Sequence, residues 1–400
     1  LLKGAALKEL PLIYNAYLVV EDDLIAAYGE MKNFDSTGFD KNVVKDVMGK
    51  LVMPCWCDSH THLVFAGSRE DEFVDKLKGL SYAEIAAKGG GILNSADKVN
   101  HCSEDELFDL AWQRLFEIGK LGTGAVEIKS GYGLSVEGEL KMLRVIKRLK
   151  EKSSFVIKST FLGAHTYPLK FKNDHDGYIK LIIEEMLPVI AEESLADFVD
   201  VFCEDGFFSH EEMTIICKKA AEFGLRPKLH VNQLNSIGGI EAGIKLNALS
   251  LDHLETLMPK DIDHLANKFD NEIWNGVCTL LPTAAFFLRM PFQPARALID
   301  NGCAVALASD FNPGSSPSGN MNFVVALSCI QMKMLPEESI NAATINGAYA
   351  MGVEDIAGSV TVGKKANLIF INPIPGINYL PYSFGTNLIE SVMINGIFLS

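Results

Sequence analysis

Asp58-Ser59-His60-Thr61-His62 follows the short apolar strand candidate Leu51-Val52-Met53, with Pro54 and Cys55-Trp56-Cys57 leading into the turn. In an extended chain, side chains two residues apart share a face, so His60 and His62 point the same way about one ion-width apart. Such a preformed imidazole pair is half of a metal site. The other half must come from elsewhere, on a fold that brings distant residues to the end of this strand.

Working outward, the segment from about 54 to 350 alternates apolar strand candidates with amphipathic helices. After the 51–57 strand come 124–129, 155–162, 198–203, 227–231, 248–252, 276–281 and 303–309. Helical stretches at 136–152, 175–193 and 211–224 lie between them, the last opened by the capping box Ser209-His210-Glu211-Glu212. Eight such units predict an α/β fold of the (β/α)8 barrel type, with chemistry at the carboxyl ends of the strands. A doubly wound open sheet is the fallback, but no glycine fingerprint follows an early strand. Both flanks are strand-rich. Residues 17–20 and 24–29 read as a hairpin around Glu21-Asp22-Asp23, and 358–372 and 391–398 alternate turn and strand signals. The expected organisation is a composite β-sandwich built from 1–53 and 353–400 around a barrel over 54–352. The one long insertion, 63–120, carries Gly89-Gly90-Gly91 and is a candidate lid.

A chain of 400 residues, 48% of them hydrophobic, is long enough to bury a large core. The net charge of -15 argues against nucleic acid and anionic membrane surfaces as partners. It leaves room for an acidic small substrate, because one arginine holds a carboxylate through a short-ranged bidentate contact. The eight cysteines, at 55, 57, 102, 203, 217, 278, 303 and 329, form no C-x-x-C pair and read as reduced thiols of a cytoplasmic protein. Cys55 and Cys57 also stand as alternative thiolate ligands beside the histidines. The first residues show no secretory n-region and h-region and no apolar run of about 18 residues appears, so no membrane span is expected. Leu1 in place of methionine leads to the expectation that a few residues precede it.

On the barrel frame, His60 and His62 end strand one, Lys129 and Tyr132 follow strand two, and His165 follows strand three. Cys203 and Glu204 follow strand four, His230 ends strand five, His253 strand six, and Asp310 strand eight. Five of the nine histidines thus map to one rim, whereas His101, His175, His210 and His264 lie among charged neighbours and read as solvated. His60, His62, His230 and Asp310 make an N3O set with room for water, the open coordination of a catalytic site. A divalent ion there lowers the pKa of its water and polarises a carbonyl. Asp310 then takes the proton, while His253 orients the nucleophile and steadies the charged intermediate. Hydrolysis of an amide-like C–N bond fits this set. A two-metal site wants a carboxylated lysine after strand four, where Cys203-Glu204 stands, so one metal ion is expected. Lys129 remains an alternative bridge, and is otherwise a charge-paired lysine. Zinc, iron and manganese all suit such donors.

Together with the closing Gly358-Ser359-Val360-Thr361-Val362-Gly363-Lys364-Lys365-Ala366-Asn367-Leu368, these motifs resemble the amidohydrolase superfamily over nearly the whole chain. The resemblance narrows through the run from Asp58 to Arg69, Lys129-Ser130-Gly131-Tyr132-Gly133-Leu134, Phe161-Leu162-Gly163-Ala164-His165 and Ser309-Asp310-Phe311-Asn312-Pro313-Gly314-Ser315. It points to the branch that hydrolyses 4-imidazolone-5-propanoate to N-formimidoyl-L-glutamate in histidine degradation. It implies a metal-bearing barrel with a flanking β-sandwich, and zinc or iron on His60, His62, His230 and Asp310. It also implies substrate contacts from Arg69, Tyr132, His165, Asn312, Gly314 and Ser315. The side chains suit those roles, Arg69 offering a planar fork to a propionate carboxylate and Tyr132 a donor at the same end. The plainer alternatives are an ion pair of Arg69 with Glu70 or Asp71 and turn-stabilising roles for Tyr132 and Asn312.

Two features depart from the family pattern. Gln233 stands where some members carry glutamate, and glutamine cannot shuttle a proton, so Gln233 is expected only to hydrogen-bond the substrate. Cys55-Trp56-Cys57 replaces the usual G-F-x before the aspartate, which changes packing but removes no ligand. The rival expectations are a guanine- or cytosine-type deaminase, which shares the metal set but needs no carboxylate-binding arginine, and a metal-binding pseudoenzyme that serves as a partner-binding module. A homodimer is the expectation for a metabolic enzyme of this size.

Overall fold

Strand pairing fixes where the polar residues go. The computed structural model describes residues 1–37, 39–40, 43–80, 84, 90–268 and 273–399. Its strands are β1 (Ala16–Glu21), β2 (Leu24–Glu30), β3 (Leu51–Pro54), β4 (Trp56–Thr61), β5 (Thr123–Lys129), β6 (Val156–Ala164) and β7 (Phe198–Cys203). They continue as β8 (Arg226–Val231), β9 (Ser250–His253), β10 (Val277–Leu280), β11 (Val305–Leu307), β12 (Leu368–Ile371), β13 (Ile389–Ile394) and β14 (Ile397–Phe398). Strands β4 to β11 form one eight-stranded sheet in chain order, each pair parallel. The sheet closes at its carboxyl rim, where Asp310 N–H donates to the His60 carbonyl at 3.0 Å and His62 N–H to the Phe311 carbonyl at 2.9 Å. The barrel seam therefore runs through the candidate site. Helices between strands bury their apolar faces against the barrel, as Val136–Lys152 does with Leu140, Leu143, Ile146 and Leu149.

The 51–57 stretch is not one strand. Leu51–Pro54 pairs antiparallel with Leu368–Ile371 in a terminal sheet ordered β14-β13-β12-β3, and the first barrel strand begins only at Trp56. Asp58-Ser59-His60-Thr61 accordingly lies inside a strand rather than in a turn after one. Cys55 is the single residue between the two sheets. The β1–β2 hairpin forms, and Leu24 bridges Lys365, so the two chain ends meet as expected. Ile25, Ala366, Leu368, Phe370 and Met393 make the small core between them. The opening residues depart from the expectation of strands. Gly4–Lys8 is a 3-10 turn with Leu7 buried in the main core, and Gly4 N–H donates to the Cys303 carbonyl at 3.1 Å.

The 175–193 helix contains one π turn, Ile182–Met186, just before Pro188, whose missing N–H interrupts the regular ladder. The capping box at Ser209 and Glu212 is present. Among the described residues, the 63–120 insertion contains the helices Glu70–Leu77, Ile92–His101 and Glu104–Lys120. Gly89 of the candidate hinge lies outside the described residues.

Candidate active site and its buried charge layer

Five side chains from four strand ends crowd together. His60 Nε2 lies 3.1 Å from His230 Nε2, and Asp310 Oδ1 lies 3.6 Å from both His60 Nε2 and His62 Nε2. Their donor atoms, in the overlapping groups His60/His62/His230 and His60/His253/Asp310, fall within one ion's reach, and all five residues are buried. Burial and the neighbouring cationic groups hold His60, His62 and His230 well below the usual imidazole pKa, so they are neutral donors. Burial pushes the Asp310 carboxyl up to about 6 and that of Asp58 to about 7. Asp58 accepts from Ser309 N–H at 2.9 Å and from Ser309 Oγ at 2.5 Å, which ties strand one to strand eight beneath the donors.

A layer of charge that the sequence reading missed lies below the histidines. Asp252 Oδ2 is 2.7 Å from His60 Nδ1, and Asp200 Oδ2 is 2.7 Å from His230 Nδ1. A carboxylate only accepts, so both Nδ1 atoms carry the proton and both Nε2 atoms present lone pairs. Two lone pairs facing each other across 3.1 Å repel unless a cation lies between them. The donor set thus fits one metal ion. Lys129 Nζ lies 2.7 Å from Glu127, 2.9 Å from Asp200 and 3.7 Å from Asp252, and Lys228 lies 3.1 Å from Glu127. Lys129 is therefore the charge-paired lysine of the plainer reading. Its carboxylate neighbours outweigh burial and raise its pKa, which keeps it a cation. Cys55 and Cys57 are buried away from the donors, their Sγ atoms 3.8 Å and 3.9 Å from the carbonyls of Met393 and Cys55. Burial raises both thiols, and neither belongs to the cluster of donor atoms.

The residues around this centre arrive by distinct local devices. Buried Glu139 accepts from the N–H groups of Gly131, Gly133 and Leu134 at 3.0, 2.7 and 2.9 Å, pinning the loop that carries Tyr132. The Tyr132 ring lies 5.7 Å from His62 and 5.4 Å from His165, and His165 stacks on His62 at 5.2 Å. Asn312 Oδ1 accepts from Gly314 N–H and Ser315 N–H, both at 2.8 Å, and Ser315 Oγ donates to Asp310 Oδ2 at 3.0 Å. Asn312 thus serves its turn, and the turn aims Asp310. Arg69 is ion-paired with Glu72 at 2.8 Å rather than with Glu70 or Asp71, while its Nη1 lies over Gly314, 2.2 Å from where a Cβ would stand. Gln233 is buried in the segment after His230.

His253 ends β9 in a left-handed conformation at φ 84, followed by Leu254 at 63, and Asp310 is at 53. Strained backbone of this kind concentrates at functional sites. His253 Nδ1 lies 3.2 Å from Glu255, which also accepts from Gln293 Nε2 at 2.9 Å. Burial opposes protonation of His253, but Glu255, Asp310 and Asp252 outweigh it and raise its pKa. Glu255 and Gln293 were not anticipated from sequence.

Fold and donor cluster together define a class, the hydrolytic barrel with a one-metal rim, and comparison with known proteins agrees. Residues 143–398 match the model of the amidohydrolase family. Among solved structures, 5-methylcytosine deaminase from Klebsiella pneumoniae superposes with a TM-score of 0.74 at 15% identity, over 96% of this chain and 94% of that one. A guanine deaminase from C. acetobutylicum gives 0.68 at 16% identity, over 100% and 99%. At these identities the likeness is one of fold alone. The imidazolonepropionase of Flavobacterium johnsoniae is 57% identical over 98% of this chain and 94% of its own length. Those of Christiangramia forsetii and Clostridium tetani are 53% and 43% identical, again over 98% of this chain and 94% and 92% of theirs. The chain belongs to the imidazolonepropionase family within the amidohydrolases.

Proposed function

We propose that this chain hydrolyses the ring C–N amide bond of 4-imidazolone-5-propanoate, giving N-formimidoyl-L-glutamate, as a step in histidine degradation. The observation that carries this reading is the arrangement along one turn. Asp310 at its start lies 3.6 Å from His60 and His62, and Gly314 near its end lies against the Arg69 guanidinium. The electrophile of a propionate-bearing ring is then held at one end and its carboxylate at the other. His60, His62, His230 and Asp310 would hold the metal, with zinc or iron the expected ion. When bound, it supplies a Lewis acid and lowers the pKa of water toward neutrality. Asp310, pushed up to about 6, is ionised at neutral pH, takes a proton from the attacking water and returns it to the leaving ring nitrogen. His253, held through Nδ1 by Glu255, presents Nε2 to the developing oxyanion. Tyr132, His165, Gln233, Asn312, Gly314 and Ser315 complete the substrate pocket.

The accompanying proposals are a barrel over 54–352 flanked by terminal β segments, a lid function for 63–120, a homodimer and a cytoplasmic location. Eight free thiols fit the last of these. Among the described residues no helix is long and apolar enough to cross a membrane. The test is loss of imidazolone absorbance with purified protein, with and without chelator. Turnover that stops on chelation and returns with added metal supports the reading. An Arg69→Met variant with undiminished imidazolone turnover would favour a deaminase-like activity instead, and a protein that binds metal without turnover would be a pseudoenzyme.

A further inference from the structure

The turn after Asp310 is flanked by two cations, and only one of them was foreseen. Arg69 gives Nε and Nη2 to Glu72 Oε2, at 2.9 and 2.8 Å. The other Glu72 oxygen accepts from Gly91 N–H and Asn94 Nδ2, both at 3.0 Å. Glu72 is thus saturated, and Arg69 Nη1 projects past it onto Gly314. Lys76 lies one turn further along the helix Glu70–Leu77 and donates Nζ to the Gly314 carbonyl at 3.1 Å. Phe287, stacked on Phe73 at 5.2 Å, walls the other side of that ammonium, 5.8 Å from its ring centre. Two positive groups therefore converge on one glycine, half-buried, against one carboxylate that is already fully used. Burial and the charge of Arg69 both work against the Lys76 proton, the situation that an incoming anion relieves.

We infer that Lys76 is a specificity-determining residue. With Arg69 it forms a pincer around Gly314 that receives the side-chain carboxylate of the substrate, Arg69 through Nη1 and Lys76 through the Nζ hydrogens not given to Gly314. The inference rests on the proposed substrate and adds the second cation to its carboxylate site. Asn312 and Ser315 make the turn rigid and tie it to Asp310, so anchoring the carboxylate here sets the distance from the anchor to the reacting carbonyl.

The test compares the metal-loaded parent with Lys76→Met and Lys76→Arg, each on 4-imidazolone-5-propanoate and on its neutral propanamide analogue. Lys76→Met is expected to raise KM for the propanoate about tenfold or more, as loss of a hydrogen bond to a charged group does, with kcat changed much less. Lys76→Arg should restore most of that loss, and the propanamide KM should move little in either variant. Should Lys76→Met fold poorly, binding of 3-(imidazol-4-yl)propanoate to the Lys76→Arg and Lys76→Gln proteins supplies the comparison, tight in the first and weakened in the second. An unchanged propanoate KM, or equal losses on acid and amide, would reduce Lys76 to a brace for the Gly314 carbonyl and overturn the inference. A parent inactive on both compounds would instead remove the proposed function, and the inference with it.

Discussion

His60 and His230 face one another Nε2 to Nε2 across 3.1 Å, and each gives its Nδ1–H to a carboxylate at 2.7 Å, His60 to Asp252 and His230 to Asp200. The carboxylates fix the tautomer and make the rings more basic, so the affinity for a cation depends on residues that never touch it. Asp200→Asn and Asp252→Asn keep an oxygen for Nδ1 but remove the charge. Each is expected to weaken metal retention about 10- to 100-fold. Competition against a chromogenic chelator measures this directly, and midpoints equal to the parent's would show that the carboxylates only fill space.

Lys129 sits between both of these aspartates and Glu127, at 2.9, 3.7 and 2.7 Å. All four side chains are fully buried, so removing the cation strands negative charge with little water to replace it. Lys129→Met is expected to cost about 3–5 kcal/mol of unfolding free energy, the usual consequence of breaking a buried pair from one side. Urea unfolding of the metal-free protein reads it. A paired ammonium also predicts that added bicarbonate leaves activity unchanged, whereas a carboxylated lysine would respond.

The barrel was legible because its strands are apolar runs of the right length with amphipathic helices between them. Phe198–Cys203 and Val136–Lys152 fall where the pattern puts them. The 51–57 run misled because two strands of different sheets are separated by Cys55 alone, and only their partners, Leu368–Ile371 and Thr123–Lys129, tell them apart. The clustering of His60, His62, His230, His253 and Asp310 was legible because they end strands. Their supports carried a signal that went unread: Lys228 lies two residues before His230 and Glu127 two before Lys129, the spacing that turns both side chains of a strand to one face. Lys76 was not legible at all, since nothing local in the sequence brings it to Gly314.

Asp197 joins two barrel strands by accepting from Ser159 N–H at 3.0 Å and pairing with Lys158 at 2.9 Å and Lys150 at 3.5 Å. Burial raises its carboxyl pKa, but the Ser159 N–H and the two lysines outweigh it and leave the group below its ordinary value. A depressed carboxyl contributes stability above its unfolded pKa of about 3.9 and loses it as pH falls through the folded value. Asp197→Asn is therefore expected to destabilise by about 1 kcal/mol at neutral pH. The gap to the parent should close as the pH falls below about 4. Denaturant midpoints from pH 7 down to 3 trace this, and a gap that stays constant would mean the charge is not what matters.

Glu255 is a buried carboxylate beside His253. It holds His253 at 3.2 Å and is itself held by Gln293 at 2.9 Å, while Glu255 Oε2 and Gln293 Oε1 have no partner among the described residues. His253 is kept in a strained backbone at φ 84, so its ring needs a fixed partner to hold one orientation. Glu255→Gln preserves size and an oxygen for Nδ1 but removes the charge that favours a protonated ring. The expected result is a kcat lowered about 10²-fold or more, the scale of a lost oxyanion-stabilising donor, with KM nearly constant. Gln233→Leu should instead act mainly on KM, because glutamine contributes only hydrogen bonds. Steady-state kinetics on the two variants separates these roles, and a Gln233→Leu enzyme whose kcat falls as far as that of Glu255→Gln would place the support of the charged intermediate after strand five instead of after strand six.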